Sequence, residues 1–257
     1  MPHIEDISFD GQTVGVTGGA QGIGKAVSET FASLGADVSI ADIAIDTARD
    51  VAESISDEHS VQTKAYETDV RHYSEATEWV EHTVDELGGF DVLINNAGGG
   101  GGSDSFLDST PKEWQYTVDL CYFSTLNCTH AVLSHMVDQG RGVVVNFASE
   151  SYKGNDTSGM SVYGGAKAAT VSFTKTVAKE VGSEGVRLNA VSPEMTRTPA
   201  TEAVIEEFGD EILEDSFAMN RFGRPEDIAN TVAFLASDAA DWITGEVVSV
   251  NGGYYRA

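Results

Sequence analysis

Tyr163 stands four residues before Lys167 in the stretch MSVYGGAKAATVSF, and Ser149 closes the apolar run GVVVNFAS upstream of it. Residues four apart share a helix face, so the Lys167 ammonium can stand near the Tyr163 phenol. A free phenol ionises near pH 10, too high for a base at neutral pH. A unit charge about 4 Å away is worth roughly 4 kcal/mol at an effective dielectric of 20. That is about three tenfold steps in acidity, enough to bring the phenol near the working pH. Such a group can take a proton from an alcohol or give one to a developing alkoxide, with Ser149 hydrogen-bonding the same oxygen. A lone Tyr-x-x-x-Lys is common in helices, so its weight depends on the elements around it.

Those elements can be read from hydrophobic patterning. The apolar runs TVGVTG, DVSIAD, VQTKAYETDV, DVLINNAG, GVVVNFAS, VRLNAVSP and EVVSVNGG alternate with helical patterns at roughly 22–35, 46–57, 74–87, 111–138, 163–182 and 225–237. Repeated alternation of strand and helix predicts an α/β fold, a doubly wound seven-stranded parallel sheet with helices on both faces. No composition break or internal repeat divides residues 1–257, which predicts one domain. In such sheets ligands bind beyond the carboxyl ends of the strands, at the switch point.

The first strand runs into TGGAQGIG, with Gly18, Gly22 and Gly24 in the turn that opens a helix. Small residues there let backbone approach a pyrophosphate, and the helix N-terminus offers unpaired N–H groups and a positive dipole end. The second strand ends at Asp42, whose carboxylate suits ribose 2′- and 3′-hydroxyls and repels a 2′-phosphate. No Lys or Arg lies in TGGAQGIG or just after Asp42, so NAD is expected over NADP. Asp69, at the end of the third run, is placed to contact the adenine edge or to cap the next helix. Asn95, Asn96, Ala97 and Gly98 bring backbone close to the same ligand after the fourth strand. A nicotinamide beside Tyr163 would then take or give the hydride.

The chain holds 41 acidic and 15 basic residues, a formal net charge of -26. Repulsion on that scale destabilises a compact protein in dilute salt, and near 1 M salt the screening length falls to about 3 Å. The acids are spread over most helices, which reads as adaptation to a halophilic interior rather than as a docking patch. Nucleic-acid binding is not expected, because phosphate contacts need clustered Lys and Arg. Cys121 and Cys128 are the only cysteines and fit no zinc spacing; reduced thiols in a cytoplasmic protein are expected. The six histidines form no HExxH pattern, so no metal is expected. The N-terminal segment lacks the basic and apolar regions of a signal peptide, and no apolar run reaches membrane-spanning length.

Taken with TGGAQGIG, NNAG, NFAS, YGGAK, VRLNAVSPEMTRTP and RFGRPEDIANTVAFLASDAADWITGEVVSVNGG, the chain resembles the short-chain dehydrogenase/reductase family over nearly its whole length. The resemblance implies a three-layer Rossmann fold, a nicotinamide cofactor and a homotetramer. It implies Tyr163 as acid/base, Lys167 as the group that tunes it and binds the ribose, and Ser149 as the residue that orients the reacting oxygen. On the cofactor side it implies Gly18, Gln21, Gly22, Ile23, Gly24, Asp42, Asp69, Val70, Asn96, Ala97, Gly98, Tyr163, Lys167 and Pro193, with Thr198 on the nicotinamide carboxamide. Three departures stand out. Aligned from Trp114, Cys121 occupies the place of an asparagine that shapes a helix kink and a water chain to the lysine, so slower proton relay is expected. Glu194 replaces a glycine after the sixth strand. Ser149 and Tyr163 are one residue further apart than the pattern has them.

Two segments are expected to form the substrate pocket: ESYKGNDTSGMS, and a helical lid at about 194–220 with Phe208, Ile212, Leu213 and Phe217 on one face. Lys153 and Arg197 are candidates to meet an anionic group, although surface roles suit them better. The small-molecule alcohol or ketone implied by the resemblance is a 3-hydroxyacyl or 3-oxoacyl thioester, a ring alcohol or a sugar. Two rival readings remain: a non-redox epimerase or dehydratase, which would use the same Tyr and Lys, and a catalytically weak NAD-binding regulator, which the intact Ser149, Tyr163 and Lys167 speak against and Cys121 keeps open.

Overall fold

The computed structural model describes residues 7–99, 105–154, 159–207 and 216–254. Its strands are β1 (Thr13–Thr17), β2 (Asp37–Asp42), β3 (Thr63–Glu67), β4 (Val92–Asn95), β5 (Gly142–Phe147), β6 (Val186–Pro193) and β7 (Val247–Val250). They form one parallel sheet in the order β3-β2-β1-β4-β5-β6-β7. β1 and β4 are buried along their whole length, which explains why their apolar runs are continuous rather than alternating. The two edge strands, β3 and β7, are only half buried.

Seven α-helices flank the sheet among the described residues bounded here: α1 (Gly22–Ser33), α2 (Ile45–His59), α3 (Tyr73–Leu87), α4 (Pro111–Val118), α5 (Ser124–Asp138), α6 (Ser161–Val181) and α7 (Pro225–Ala236). Successive strand residues face opposite layers. Val92 and Ile94 join Phe31, Ile55, Ile228 and Leu235 in the core beneath α1, α2 and α7. Leu93 joins Trp79, Phe90, Met136 and Leu188 in the core beneath α3, α5 and α6. Each such side chain contributes about 1.5–3 kcal/mol through burial.

Local signals fix the helix boundaries. Thr110 and Glu113 form a reciprocal capping box at α4, with Pro111 in its first turn. α3 ends at Gly88, φ +85°. At the other end of α7, the Arg187 guanidinium donates to the carbonyls of Leu235, Ala236, Ser237 and Ile243. The expected continuous helix over 111–138 is interrupted. Asp119–Phe123 forms a π-helical turn between α4 and α5, which hydrophobic periodicity does not register.

The lid expected at 194–220 is described in part. Residues 202–207 are helical, and Phe217 packs in a small core with Ile205, Phe222 and Tyr254. Phe208, Ile212 and Leu213 lie outside the described residues. No helix among the described residues is long and apolar enough to cross a membrane.

Candidate active site

The strand order reverses between β1 and β4, and the glycine turn sits at that point. Gly18 has φ +65° and Gly22 φ +55°, values that suit glycine. A Cβ on Gly24 would lie 2.1 Å from the Gly18 carbonyl oxygen, so only glycine fits as the chain enters α1. Asn96 Nδ2 donates to the carbonyls of Thr17 and Gly18 at 2.9 and 3.0 Å, and the Ala97 amide donates to Thr17 Oγ1. The loop after β4 therefore pins the turn from below. Although the chain is strongly acidic, the first turn of α1 carries no acid, leaving its N–H groups and dipole open to an anion. Gln21 is its N-cap, and Ile23 is half buried behind it. Asp42 accepts from the Ala20 amide at 3.0 Å and the Ala44 amide at 2.9 Å, which fixes its carboxylate against the turn. A dinucleotide fits this cradle: a glycine-rich turn, the N-terminal N–H groups of α1, and an oriented carboxylate beyond the pyrophosphate position.

After β3, the Asp69 carboxylate binds Arg71 through both oxygens, and that hydrogen bonding holds it below the usual carboxylate range. Arg71 lies over the Tyr116 ring, 5.0 Å from its centre. Val70 is buried, and Asn127 of α5 donates to the carbonyls of Val70 and Arg71. Asp69 thus enters the site already paired.

Tyr163 lies in the first turn of α6, with Lys167 one turn on. The Lys167 ammonium is 3% exposed and lies 5.7 Å from the centre of the Tyr163 ring. It donates to the Phe147 carbonyl at 2.7 Å. Burial pushes its pKa down. A Cβ on Gly98 would come within 3.1 Å of Lys167 Nζ, so the ammonium stands directly beside the cofactor loop. Ser149 leaves β5 as the cap of a short 3-10 turn over Glu150–Lys153; its hydroxyl accepts from the Ser151 amide and donates to Ser151 Oγ at 3.1 Å. A cavity of about 20 Å³ lies between Phe106, Trp114, Thr117, Val162 and Tyr163.

Beneath these groups, Asn95 donates to Asn146 and Thr129, Asn146 to Thr174, and Thr174 to the Thr170 carbonyl. Thr170 Oγ1 reaches the Cys121 carbonyl in the π-helical turn at 3.3 Å. Cys121 Sγ donates to the Gly99 carbonyl at 3.0 Å. The thiol at the usual asparagine position is therefore used to hold the loop after β4.

At the end of β6, Pro193 is buried and Thr198 is half buried. The Thr198 side chain lies 3.5 Å from the position a Gly22 Cβ would take, so it faces the glycine turn. Both candidate cations already have carboxylate partners: Arg197 pairs with Glu202, and Lys153 with Glu150 at 2.6 Å. The segment 155–158, where a longer Ser149–Tyr163 connection would run, lies outside the described residues. Among the described residues no cluster of His, Cys, Asp and Glu could hold a metal ion. Sequence reasoning missed Arg71, Asn127, Asn146 and Glu150. Only Arg71 carried a local signal, two residues from Asp69.

The family model described as Enoyl-(Acyl carrier protein) reductase matches residues 18–255. The chain is 31% identical over 253 residues to the 7alpha-hydroxysteroid dehydrogenase of Escherichia coli K12, covering 98% of both chains. It is 35% identical over 245 residues to a 3-oxoacyl-(acyl-carrier-protein) reductase of Staphylococcus epidermidis, covering 93% of this chain and 97% of the relative. A solved 7alpha-hydroxysteroid dehydrogenase, in complex with NADH and 7-oxo glycochenodeoxycholic acid, superposes with a TM-score of 0.93 at 31% identity, covering 100% of this chain and 99% of that one. With the glycine turn, Asp42, Ser149, Tyr163 and Lys167 all gathered at the carboxyl end of one parallel sheet, the chain belongs to the short-chain dehydrogenase/reductase family and is an NAD(P)-linked oxidoreductase.

Proposed function

We propose that the protein interconverts a secondary alcohol and a ketone with NAD(H), with Tyr163 as acid/base. The observation that carries this reading is the buried Lys167 ammonium between the Tyr163 ring and the cofactor loop. When bound, the nicotinamide supplies or accepts the hydride. Tyr163 gives its phenolic proton to the ketone oxygen during reduction and removes the alcohol proton during oxidation. Lys167 favours the phenolate electrostatically and has donors left for a ribose hydroxyl. Ser149 orients the reacting oxygen. Asp42 takes the adenosine ribose hydroxyls; Asp69 and Val70 line the adenine side, and Pro193 and Thr198 the nicotinamide side. NADH in the solved relative and the carboxylate of Asp42 support NAD over NADP.

The relatives' names support a ring ketone or a 3-oxoacyl thioester as substrate class. The test is a titration with NADH and NADPH, followed by turnover of acetoacetyl-coenzyme A, ethyl acetoacetate, cyclohexanone and 7-oxo glycochenodeoxycholic acid. Tighter NADH binding and turnover of at least one ketone are expected. Tighter NADPH binding overturns the role of Asp42, and turnover of none overturns the reaction.

We further read residues 1–257 as one catalytic unit with a lid near 194–220, assembling as a homotetramer in the cytoplasm. Leu107, Tyr116, Phe123 and Trp242 expose large apolar surfaces, which supports an assembly. Light scattering at four times the chain mass is expected. The acidic surface is read as a halophilic adaptation, with melting temperature rising between 0.1 and about 2 M KCl as charges are screened; an unchanged melting temperature refutes that reading.

A further inference from the structure

Glu150 directly follows Ser149, yet its carboxylate is 2% exposed. Taking a carboxylate out of water is strongly unfavourable unless partners compensate. Its hydrogen bonds come from two places, and Ser192 of β6 also helps to hold its charge. Lys153, in the same turn, donates to Oε2 at 2.6 Å. Ser249 donates to Oε1 at 2.7 Å and Asn251 to Oε2 at 3.0 Å, both from the carboxyl end of β7. Burial alone would raise this carboxyl; the hydrogen bonds from Lys153, Ser249 and Asn251 outweigh it and hold it below the usual range.

The turn that carries Ser149 is four residues long and cannot hold its own shape. It has two outside anchors. On one side α6 presses on it: a Cβ on Gly164, the residue after Tyr163, would lie 2.7 Å from the Ser151 carbonyl oxygen. On the other side the Glu150 carboxylate ties it to β7. Ser151, held between these anchors, makes both hydrogen bonds to the Ser149 hydroxyl.

We propose that Glu150 is a positioning residue: by tying the Glu150–Lys153 turn to the end of β7, it holds the Ser149 hydroxyl in register with Tyr163. This rests on the role given to Ser149 under Proposed function. Glu150 touches neither substrate nor cofactor; it acts through Ser151 and Ser149. A neutral amide of the same shape leaves one acceptor oxygen for donors on both sides and turns an N–H toward one of them.

The test compares Glu150→Gln, Ser249→Ala, Ser149→Ala and the double variant Ser149→Ala/Glu150→Gln. Each is assayed with whichever of the four named ketones the wild type reduces fastest, alongside NADH affinity and melting temperature. Glu150→Gln is expected to lower kcat at least tenfold with NADH affinity within twofold, and Ser249→Ala to lower it less. In the Ser149→Ala background, Glu150→Gln is expected to change kcat by less than twofold, because the group it positions is gone. A merely structural role would lower kcat again in that background, and that result overturns the proposal, as does wild-type kcat in Glu150→Gln. Wild-type kcat in Ser149→Ala overturns instead the reading of Ser149 on which the proposal rests.

Discussion

Replacing Gly24 with alanine adds one methyl group and is expected to disable cofactor binding while leaving the fold intact. The added Cβ would lie 2.1 Å from the Gly18 carbonyl oxygen and 2.5 Å from Asn96 Nδ2, where ordinary contact begins at 3.4 Å. Neither obstacle is a flexible chain end. One is backbone, and the other is the amide that holds the Thr17 and Gly18 carbonyls. Relief moves the turn by about 1 Å and breaks both hydrogen bonds, each worth about 0.5–1.5 kcal/mol net. Where the displaced turn must be restored to hold the pyrophosphate, that loss of about 1–3 kcal/mol is charged to binding, and the Kd for NADH rises about 5- to 150-fold. Nucleotide fluorescence reads the affinity, and circular dichroism reads melting in the same buffer. Gly182→Ala is the control: it lies at the far end of α6, has φ -60° and meets no atom within 4 Å. It should keep wild-type affinity and melt no lower than wild type. Unchanged NADH affinity in a folded Gly24→Ala protein would refute the placement of the dinucleotide at this turn.

Tyr163→Phe should bind NADH as the wild type does and lose at least about 100-fold in turnover; retained turnover would remove Tyr163 as proton donor. Arg187→Met strands the carbonyls of Leu235, Ala236, Ser237 and Ile243, and a loss of about 3 kcal/mol is expected. That reads as a melting temperature lower by roughly 6–12 °C, and a drop under about 2 °C would mean that water replaces the guanidinium. Cys121 and Cys128 are both fully buried, and burial pushes the Cys128 thiol strongly up, so iodoacetamide should label neither in native protein and both in guanidinium. Because the Glu150 carboxyl titrates lower in the fold than in the unfolded chain, its share of stability is complete above about pH 4.3 and is lost as pH falls through the folded value. Melting of Glu150→Gln should therefore depend less steeply on acid than melting of the wild type, and parallel curves would contradict this.

The parts legible in the sequence are those whose cause is local. The Gly18–Gly24 turn, Asp42 at a strand end and the Tyr163–Lys167 spacing each announce themselves within a few residues. The sheet follows from alternating periods. Glu150 could not be read in this way, because two of the groups that make its burial tolerable lie 99 and 101 residues later in the chain. Lys153 was equally ambiguous: a loop cation becomes an internal partner only when the fold brings it to a carboxylate. The break at Asp119–Phe123 was marked only by the resemblance, which places a helix kink at Cys121, and not by the pattern of the residues. The hydrophobic pattern continues through it, and the hydrogen bonds made there, between Cys121 and both Gly99 and Thr170, join residues far apart in the chain.

That π-helical turn also says something about how such a chain can change over generations. A π turn carries one residue more than the α-helical path it replaces. Loss of a single codon within 119–123 would restore the α step with α4 and α5 close to their present places, whereas the same loss inside α4 or α5 would turn one side against the other by about 100° and shift it by about 1.5 Å. The Trp114 ring, stacked on Phe106 and bordering the cavity beside Tyr163, would keep its place, and what would change are the bulge's own contacts, from Cys121 to Gly99 and Thr170. This turn is thus a place where the chain can gain or lose one residue without rebuilding the helices on either side of it, at the cost only of the contacts that Cys121 makes.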